Sequence, residues 1–325
     1  MKNILVLGGA GYIGSHAVKK ILIKGYNPIV VDNLVFGHRE AVMAKDFFQI
    51  DIGNKIELSS VFKKHKIDAV MHFAAFAAVG ESVIAPQKYY HNNLINTINV
   101  LDCMLEHDVK NIVFSSTCAT YGNPRYMPLD EKHTQQPINP YGWTKFMVEK
   151  IMEDYDRAYG LKSICLRYFN AAGADKDGQL CEKHNPETHL IPLVLQVALE
   201  KREYLSVFGN DYDTKDGTCI RDYIHVEDLA DAHILAIEKL FSEKKSYRIN
   251  LGTGIGTSVN EIIASVERVT GKEVPVLYSD RRAGDPAVLV AANNYAQDVL
   301  YWIPKYVNID DIVRSAYNVM LNPPF

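Results

Sequence analysis

Short apolar runs alternate with helical patterns through the first half of the chain. Ile4–Leu7, Ile29–Val31, Phe47–Ile50, Ala69–Phe73, Asn111–Ser115 and Ser163–Tyr168 are bounded by Gly, Asp or Asn and predict strands. Amphipathic stretches lie between them. In one, Ile13, Ala17, Val18, Ile21 and Leu22 keep helical spacing and stop at Lys24-Gly25, a cation followed by a glycine. This alternation predicts an α/β fold: a parallel sheet with helices on both faces, doubly wound by right-handed crossovers.

After about Asn170 the pattern changes. Residues 174–189 are polar, with Gly178 and Pro186, and predict a long loop before a helix near Pro192–Leu199. Strands are expected at Leu205–Phe208, Ile220–His225 and Tyr247–Leu251, and a helix over Val226–Leu240. Ile309, Ile312, Val313, Ala316, Tyr317 and Met320 keep helix spacing after Asn308, a suitable N-cap. The expected organisation is a sheet unit over residues 1–170, rejoined around 219–245. A smaller, non-contiguous α+β unit fills most of 171–325.

Composition narrows the class. The chain has 325 residues, 47% of them hydrophobic, enough to build a large core without staples. A net charge of -4 gives no electrostatic footprint for nucleic acid or an anionic membrane. No apolar run reaches the ~18 residues of a membrane span, and the run Ile4–Leu7 is too short for a signal peptide. Cys103, Cys118, Cys165, Cys181 and Cys219 are odd in number and scattered, as expected of reduced cytoplasmic thiols.

The first strand run leads directly into Gly8-Gly9-Ala10-Gly11-Tyr12-Ile13-Gly14 and then a helix. Gly8 permits a tight turn, Gly11 a close approach of backbone to a pyrophosphate, and Gly14 close packing of helix on strand. The pyrophosphate would sit at the helix N-terminus on free N–H groups. Asp32 ends the next strand run, placed to accept from both ribose hydroxyls and to repel a 2′-phosphate. The cofactor expected is NAD on a Rossmann sheet. Asp51-Ile52 end the third run, where an adenine edge would lie.

Ser115-Ser116-Thr117 closes a later strand at the carboxyl edge, where ligands bind in such sheets. Downstream, Asn139-Pro140 suits a helix N-cap and first position, which puts Tyr141 and Lys145 on one helix face. A free tyrosine, with a pKa of ~10, is a poor base at neutral pH. A neighbouring ammonium and a positive nicotinamide would favour its phenolate. Thr117 could share and orient the substrate proton.

These motifs, with His72-Phe73-Ala74-Ala75, Tyr89-Tyr90-His91-Asn92-Asn93, Leu166-Arg167-Tyr168-Phe169-Asn170, Arg221-Asp222-Tyr223-Ile224-His225 and Arg281-Arg282-Ala283-Gly284-Asp285, run the length of the chain. Together they resemble the extended short-chain dehydrogenase/reductases, and among them the UDP-hexose 4-epimerases. The resemblance implies an isomerase that interconverts UDP-glucose and UDP-galactose through a transient 4-keto sugar with NAD bound. It implies Tyr141 as base and acid, Lys145 as its electrostatic partner and nicotinamide-ribose contact, and Thr117 as proton relay. Gly11, Tyr12, Ile13, Asp32, Asn33, Asp51, Ile52, Phe73, Asn92 and Phe169 match cofactor contacts. Arg221 and Arg282 match the diphosphate cations, Asp285 a ribose contact, Asn170 and Leu190 backbone or amide contacts, and Phe208 the uracil site; Tyr223 adjoins Arg221. A cytoplasmic homodimer is implied.

Three positions depart from that pattern: Ala77 where some members carry Lys, His189 where Asn often precedes the contacting Leu, and Leu289 where some carry Tyr. The last suggests room for UDP-N-acetylglucosamine. Related 4,6-dehydratases follow the strand-end Thr with Asp-Glu; here Cys118-Ala119 stand there. A UDP-glucuronate epimerase or decarboxylase is the alternative, and a non-catalytic NAD sensor a remote third. No G-x-S-x-G elbow supports a serine hydrolase. Cys181-Glu182-Lys183-His184 and Glu187-Thr188-His189 fit no compact zinc spacing, so no metal is expected.

Overall fold

The computed structural model describes residues 1–282 and 285–325; the motif residues Ala283 and Gly284 lie outside the described residues. Six strands come first: β1 (Asn3–Leu7), β2 (Asn27–Asp32), β3 (Asp46–Gln49), β4 (Ala69–His72), β5 (Asn111–Thr117) and β6 (Lys162–Tyr168). Then follow β7 (Asn170–Ala172), β8 (Leu205–Phe208), β9 (Ile220–His225), β10 (Tyr247–Leu251), β11 (Gly256–Ser258), β12 (Val276–Ser279) and β13 (Val288–Leu289).

Seven strands form one sheet in the order β10-β6-β5-β4-β1-β2-β3, with every neighbouring pair parallel. The near-continuous apolar runs are what a parallel sheet covered on both faces requires. Ile4, Val6, Val30, Met71, Val113 and Ile164 point into one core. Leu5, Leu7, Ile29, Val70, Ile112 and Phe114 point into the other. Helices Tyr12–Ile23 and Val226–Glu243 cover the first face; Lys55–Lys64, Asn96–Glu106 and Pro140–Tyr159 cover the second. Strand order reverses between β1 and β4, where Leu7 pairs with His72, and ligands bind at such a switch point.

The smaller unit packs helices Leu190–Ala198, Val259–Thr270 and Ile309–Leu321 over a core of Val194, Leu195, Val207, Ile262, Val266 and Val313. Within the span 219–245 it is helix Val226–Glu243 that returns to the large sheet, while β9 does not join it. Residues of β9 pair with β7, β11 and β13 in a small separate sheet, and it is β10 that becomes the seventh large strand. Asp222 explains the division. Its buried carboxylate accepts from Thr253 N at 2.8 Å, Thr253 Oγ1 at 2.7 Å, Gly254 N at 3.0 Å and Ala291 N at 3.2 Å, tying β9 to the segments after β10 and β13. Local signals fare better. Asn139 caps its helix by accepting from Gly142 N at 2.8 Å, and Asn308 accepts from Asp310 N at 3.0 Å. The helix expected at Pro192–Leu199 starts earlier, at Leu190. Among the described residues no helix is long and apolar enough to cross a membrane.

Candidate active site

The turn after β1 is shaped by contacts that forbid side chains. Gly8 has φ +79°, and a Cβ there would meet Ala74 N at 2.6 Å. A Cβ on Gly14 would lie 2.1 Å from the Gly8 carbonyl oxygen. Both neighbours are backbone and cannot swing away. Gly11 differs: its Cβ would meet only the Gly8 oxygen, at 3.5 Å. The protein's own packing therefore leaves room at Gly11 for a ligand. Gly11 is the N-cap of helix Tyr12–Ile23 with no side-chain cap, so the first N–H groups face outward as a pyrophosphate requires.

Asp32 closes the far side. Its carboxylate accepts from Ala10 N at 2.9 Å and Leu34 N at 2.8 Å, while burial lifts its pKa above the usual carboxylate range. Asn33 donates to Asp51 at 2.9 Å, so these two candidates share one corner, with Ile52 buried beside it. Phe73 packs against the His233 ring at 4.7 Å between centroids. Ile13 packs on the first core, and the Tyr12 hydroxyl donates to Gly173 O at 2.6 Å, reaching the smaller unit. Asn92 donates to Asn93 Oδ1 at 3.0 Å, and Asn93 holds Phe76 N at 2.9 Å. These residues fit a dinucleotide.

Thr117 ends β5, and its hydroxyl accepts from Ala119 N at 3.1 Å. Tyr141 begins the helix Pro140–Tyr159, one turn before Lys145. Lys145 is buried and donates to Ser115 O at 2.7 Å, with its ammonium 6.0 Å from the centre of the Tyr141 ring. The electrostatics depart from the sequence expectation. Burial pushes Tyr141 up to about 12, a side-chain hydrogen bond to Thr117 opposes it, and Lys145 is not among the causes. Burial instead lowers Lys145 to about 7. Desolvation outweighs the ammonium in the protein alone, so the expected activation needs a further positive charge.

Sequence reasoning missed what fixes this strand end. Glu149, one turn beyond Lys145, pairs with Arg167 at 3.0 Å and accepts from the Ser116 hydroxyl at 2.5 Å. Arg167 also donates to the Tyr121 hydroxyl at 2.9 Å, which donates to Asn250 at 2.7 Å. Glu149 and Arg167 are nearly fully buried. The available signal was Glu149 at four-residue spacing from Lys145.

The substrate-side candidates gather around β9. Arg221 pairs with the Asp285 carboxylate, and Leu289 sits opposite Arg221 in the strand register. Arg282 lies over the Phe208 ring at 4.0 Å. Asn170 pairs with Tyr223. Leu289 and Phe169 share an apolar cluster with Cys118, next to Thr117. His189 stands at the N-cap position of helix Leu190–Ala198 without a side-chain capping bond, and Leu190 opens the helix.

The stretch 181–189 corrects the spacing argument. Glu182, His184, Glu187 and His189 each bring one ligand atom within 4.8 Å of the others. The loop folds back on itself, so separation along the chain is a poor guide to separation in space.

The sequence profile described as "NAD dependent epimerase/dehydratase family" matches residues 4–252. A UDP-glucose 4-epimerase of Halalkalibacterium halodurans is 53% identical over 315 residues, covering 97% of this chain and 94% of that one. The crystal structure of the Brucella ovis UDP-glucose 4-epimerase in complex with NAD superposes with a TM-score of 0.96 at 50% identity, covering 98% of each chain. The Bifidobacterium longum UDP-glucose 4-epimerase in complex with NAD+ and UDP gives 0.95 at 37% identity, covering 99% of each chain.

Proposed function

Because the chain belongs to the NAD dependent epimerase/dehydratase family, we propose that it interconverts UDP-glucose and UDP-galactose by inverting C4 through a transient 4-keto sugar. The observation that carries this reading is the meeting of Thr117, Tyr141 and Lys145 at the β5 end of the same sheet edge as the dinucleotide cradle. When bound, NAD supplies the hydride acceptor and donor at C4 and a positive nicotinamide whose charge favours the Tyr141 phenolate. Tyr141 takes the C4 hydroxyl proton on oxidation and returns it on reduction. Thr117 holds that hydroxyl in line. Lys145, lowered to about 7, exchanges a proton readily near neutral pH and adds positive charge in its protonated state.

Arg221 and Arg282 anchor the diphosphate; two planar guanidinium forks suit a dianion. Arg221 is held by Asp285 in the meantime, which keeps the guanidinium oriented. Firm binding of the nucleotide with loose binding of the hexose lets the ketone rotate and present its other face. Dehydration finds no support. Burial pushes the Cys118 thiol up to about 12, and Ala119 has no acid or base to offer.

Leu289 borders the same region and is shorter than tyrosine, so the reading extends to UDP-N-acetylglucosamine. A UDP-uronate as substrate is the second reading, on the same cradle. A cytoplasmic homodimer and a division into NAD-binding and UDP-sugar-binding units belong to this proposal too. The test is to incubate purified protein with UDP-glucose and no added reductant, then identify nucleotide released on denaturation by mass spectrometry. UDP-galactose and NAD are expected; absence of epimerised product from NAD-loaded protein overturns the reading.

A further inference from the structure

We propose that Glu182, His184, Glu187 and His189 form a closed binding site for one divalent ion of the zinc class. Two imidazole nitrogens and two carboxylate oxygens lie within 4.8 Å of one another. A tetrahedral ion with bonds of about 2.1 Å needs ligand atoms roughly 3.4 Å apart. His184 Nδ1 stands 3.2 Å from Glu182 Oε1 and 3.7 Å from Glu187 Oε1. His189 turns its own Nδ1 to the same Glu182 oxygen.

The charge balance points the same way. The Glu182 and Glu187 side chains are 6% and 8% exposed, and among the described residues neither has a Lys or Arg partner. Lys183, between two of the four, reaches instead to Phe325 O at 2.9 Å. Among the described residues the charged partners of these two nearly buried carboxylates are therefore imidazoles. Glu187 is already oriented, its Oε1 accepting from Thr188 N at 2.7 Å and His189 N at 2.9 Å. Both Nδ1 atoms converge on one Glu182 oxygen, and His184 Nδ1 also faces the Glu187 carboxylate. Protonated rings make N–H···O contacts there; neutral rings would offer the same Nδ1 atoms as lone-pair donors to an ion held between the carboxylate oxygens. Binding requires neutral imidazoles and releases any protons they carry.

With four protein ligands the ion would be structural, with no position left for a substrate. Its place gives it a task. His189 directly precedes helix Leu190–Ala198, the His184 ring meets the Tyr12 ring edge-on at 6.3 Å, and His38 Nε2 lies 2.9 Å from Lys183 O. The ion would brace the loop between β7 and that helix, which touches Tyr12 of the cradle turn and His38.

The test uses full-length protein stripped with a chelator, returned to zinc chloride and measured for metal content after gel filtration. Cobalt(II) replaces zinc in a parallel sample. The site predicts one zinc per chain, a rise in Tm with zinc, and the visible bands of four-coordinate cobalt. His184→Ala and Glu187→Gln should each weaken zinc at least ~10-fold, since even residues behind a ligand are worth ~10–100-fold. If His184→Ala does not fold, Glu187→Gln alone decides. Wild type without stoichiometric zinc at micromolar concentration, or variants that hold zinc as well as wild type, overturn the proposal.

Discussion

Lys145 donates to the Ser115 carbonyl oxygen across 2.7 Å, fastening the helix that carries Tyr141 to the strand that carries Thr117. The two elements bring the Tyr141 hydroxyl to the Thr117 end of β5, where the Thr117 side chain opposes the upward push of burial on the Tyr141 pKa. Tyr141→Phe removes one oxygen and no packing volume. Turnover should fall by ~10²–10⁴-fold, the usual worth of a general base, or more. Bound NAD, measured by release, should be unchanged. Near-normal turnover in the NAD-loaded variant would remove Tyr141 from the chemistry.

Asp32 spends one acceptor site on each of two backbone N–H groups, which leaves lone pairs for the ribose diol of the proposed NAD site. A 2′-phosphate would place like charge against it. Asp32→Ala should weaken NAD and narrow the preference for NAD over NADP, read by reconstituting stripped protein with each. Wild type that is purified with NADP, or reconstitutes better with it, would contradict this reading.

Stability should depend on pH through four buried histidines, His16, His72, His225 and His233, each lowered by burial. Burial, followed by the Lys145 charge, lowers His72 to about 3, and burial lowers His233 to about 4. Unfolded histidine titrates near ~6.5. Below that value the unfolded chain takes up protons that the folded chain refuses, so stability falls as pH falls from ~6.5 toward 4. Each histidine contributes a slope of roughly 1.4 kcal/mol per pH unit. Urea unfolding at pH 7, 6 and 5 measures it, and His233→Gln should remove about one such slope. A flat profile from pH 7 to 5 would show that these rings are protonated in the folded protein.

The strands, the glycine turn and the Asn139-Pro140 cap were legible because each is written in consecutive residues. Side-chain period, glycine placement and a capping oxygen act over one or two turns. Sheet membership is not local. Tyr247–Leu251 is recognisable as a strand, yet only packing against β6 decides that it joins the large sheet while β9 does not. Glu149 looks like a surface residue of an amphipathic helix until Arg167 and Ser116 meet it from neighbouring strands. The Glu182–His189 cluster depends on how a loop folds. Tyr141 shows the same limit in electrostatics: the sequence places an ammonium one turn away, but only burial reveals that desolvation prevails.

Leu289 gives a prediction about substrate range. In the proposed reaction the ketone would rotate and sweep a C2 substituent through both sides of the cavity, so an N-acetyl group would need room twice. Leu289 lines an apolar cluster with Phe169 and Cys118. Leu289→Tyr overpacks that corner at a cost of ~1–3 kcal/mol, falling on the bulkier sugar. Epimerisation of UDP-N-acetylglucosamine should drop by roughly 10-fold or more while UDP-glucose turnover changes little. Equal loss on both, or no wild-type turnover of the N-acetylated sugar, would show that Leu289 is not the gate.

In the proposed reaction C4 is oxidised and reduced within one closed site, with no net redox. UDP-glucose carrying deuterium at C4 tests it directly. Incubated in ordinary water with purified protein and no added cofactor, it should give UDP-galactose that retains the deuterium at C4, by mass spectrometry and NMR. Product in which the C4 deuterium has been replaced by solvent hydrogen would mean that C4 is inverted by proton exchange, which contradicts hydride transfer at C4.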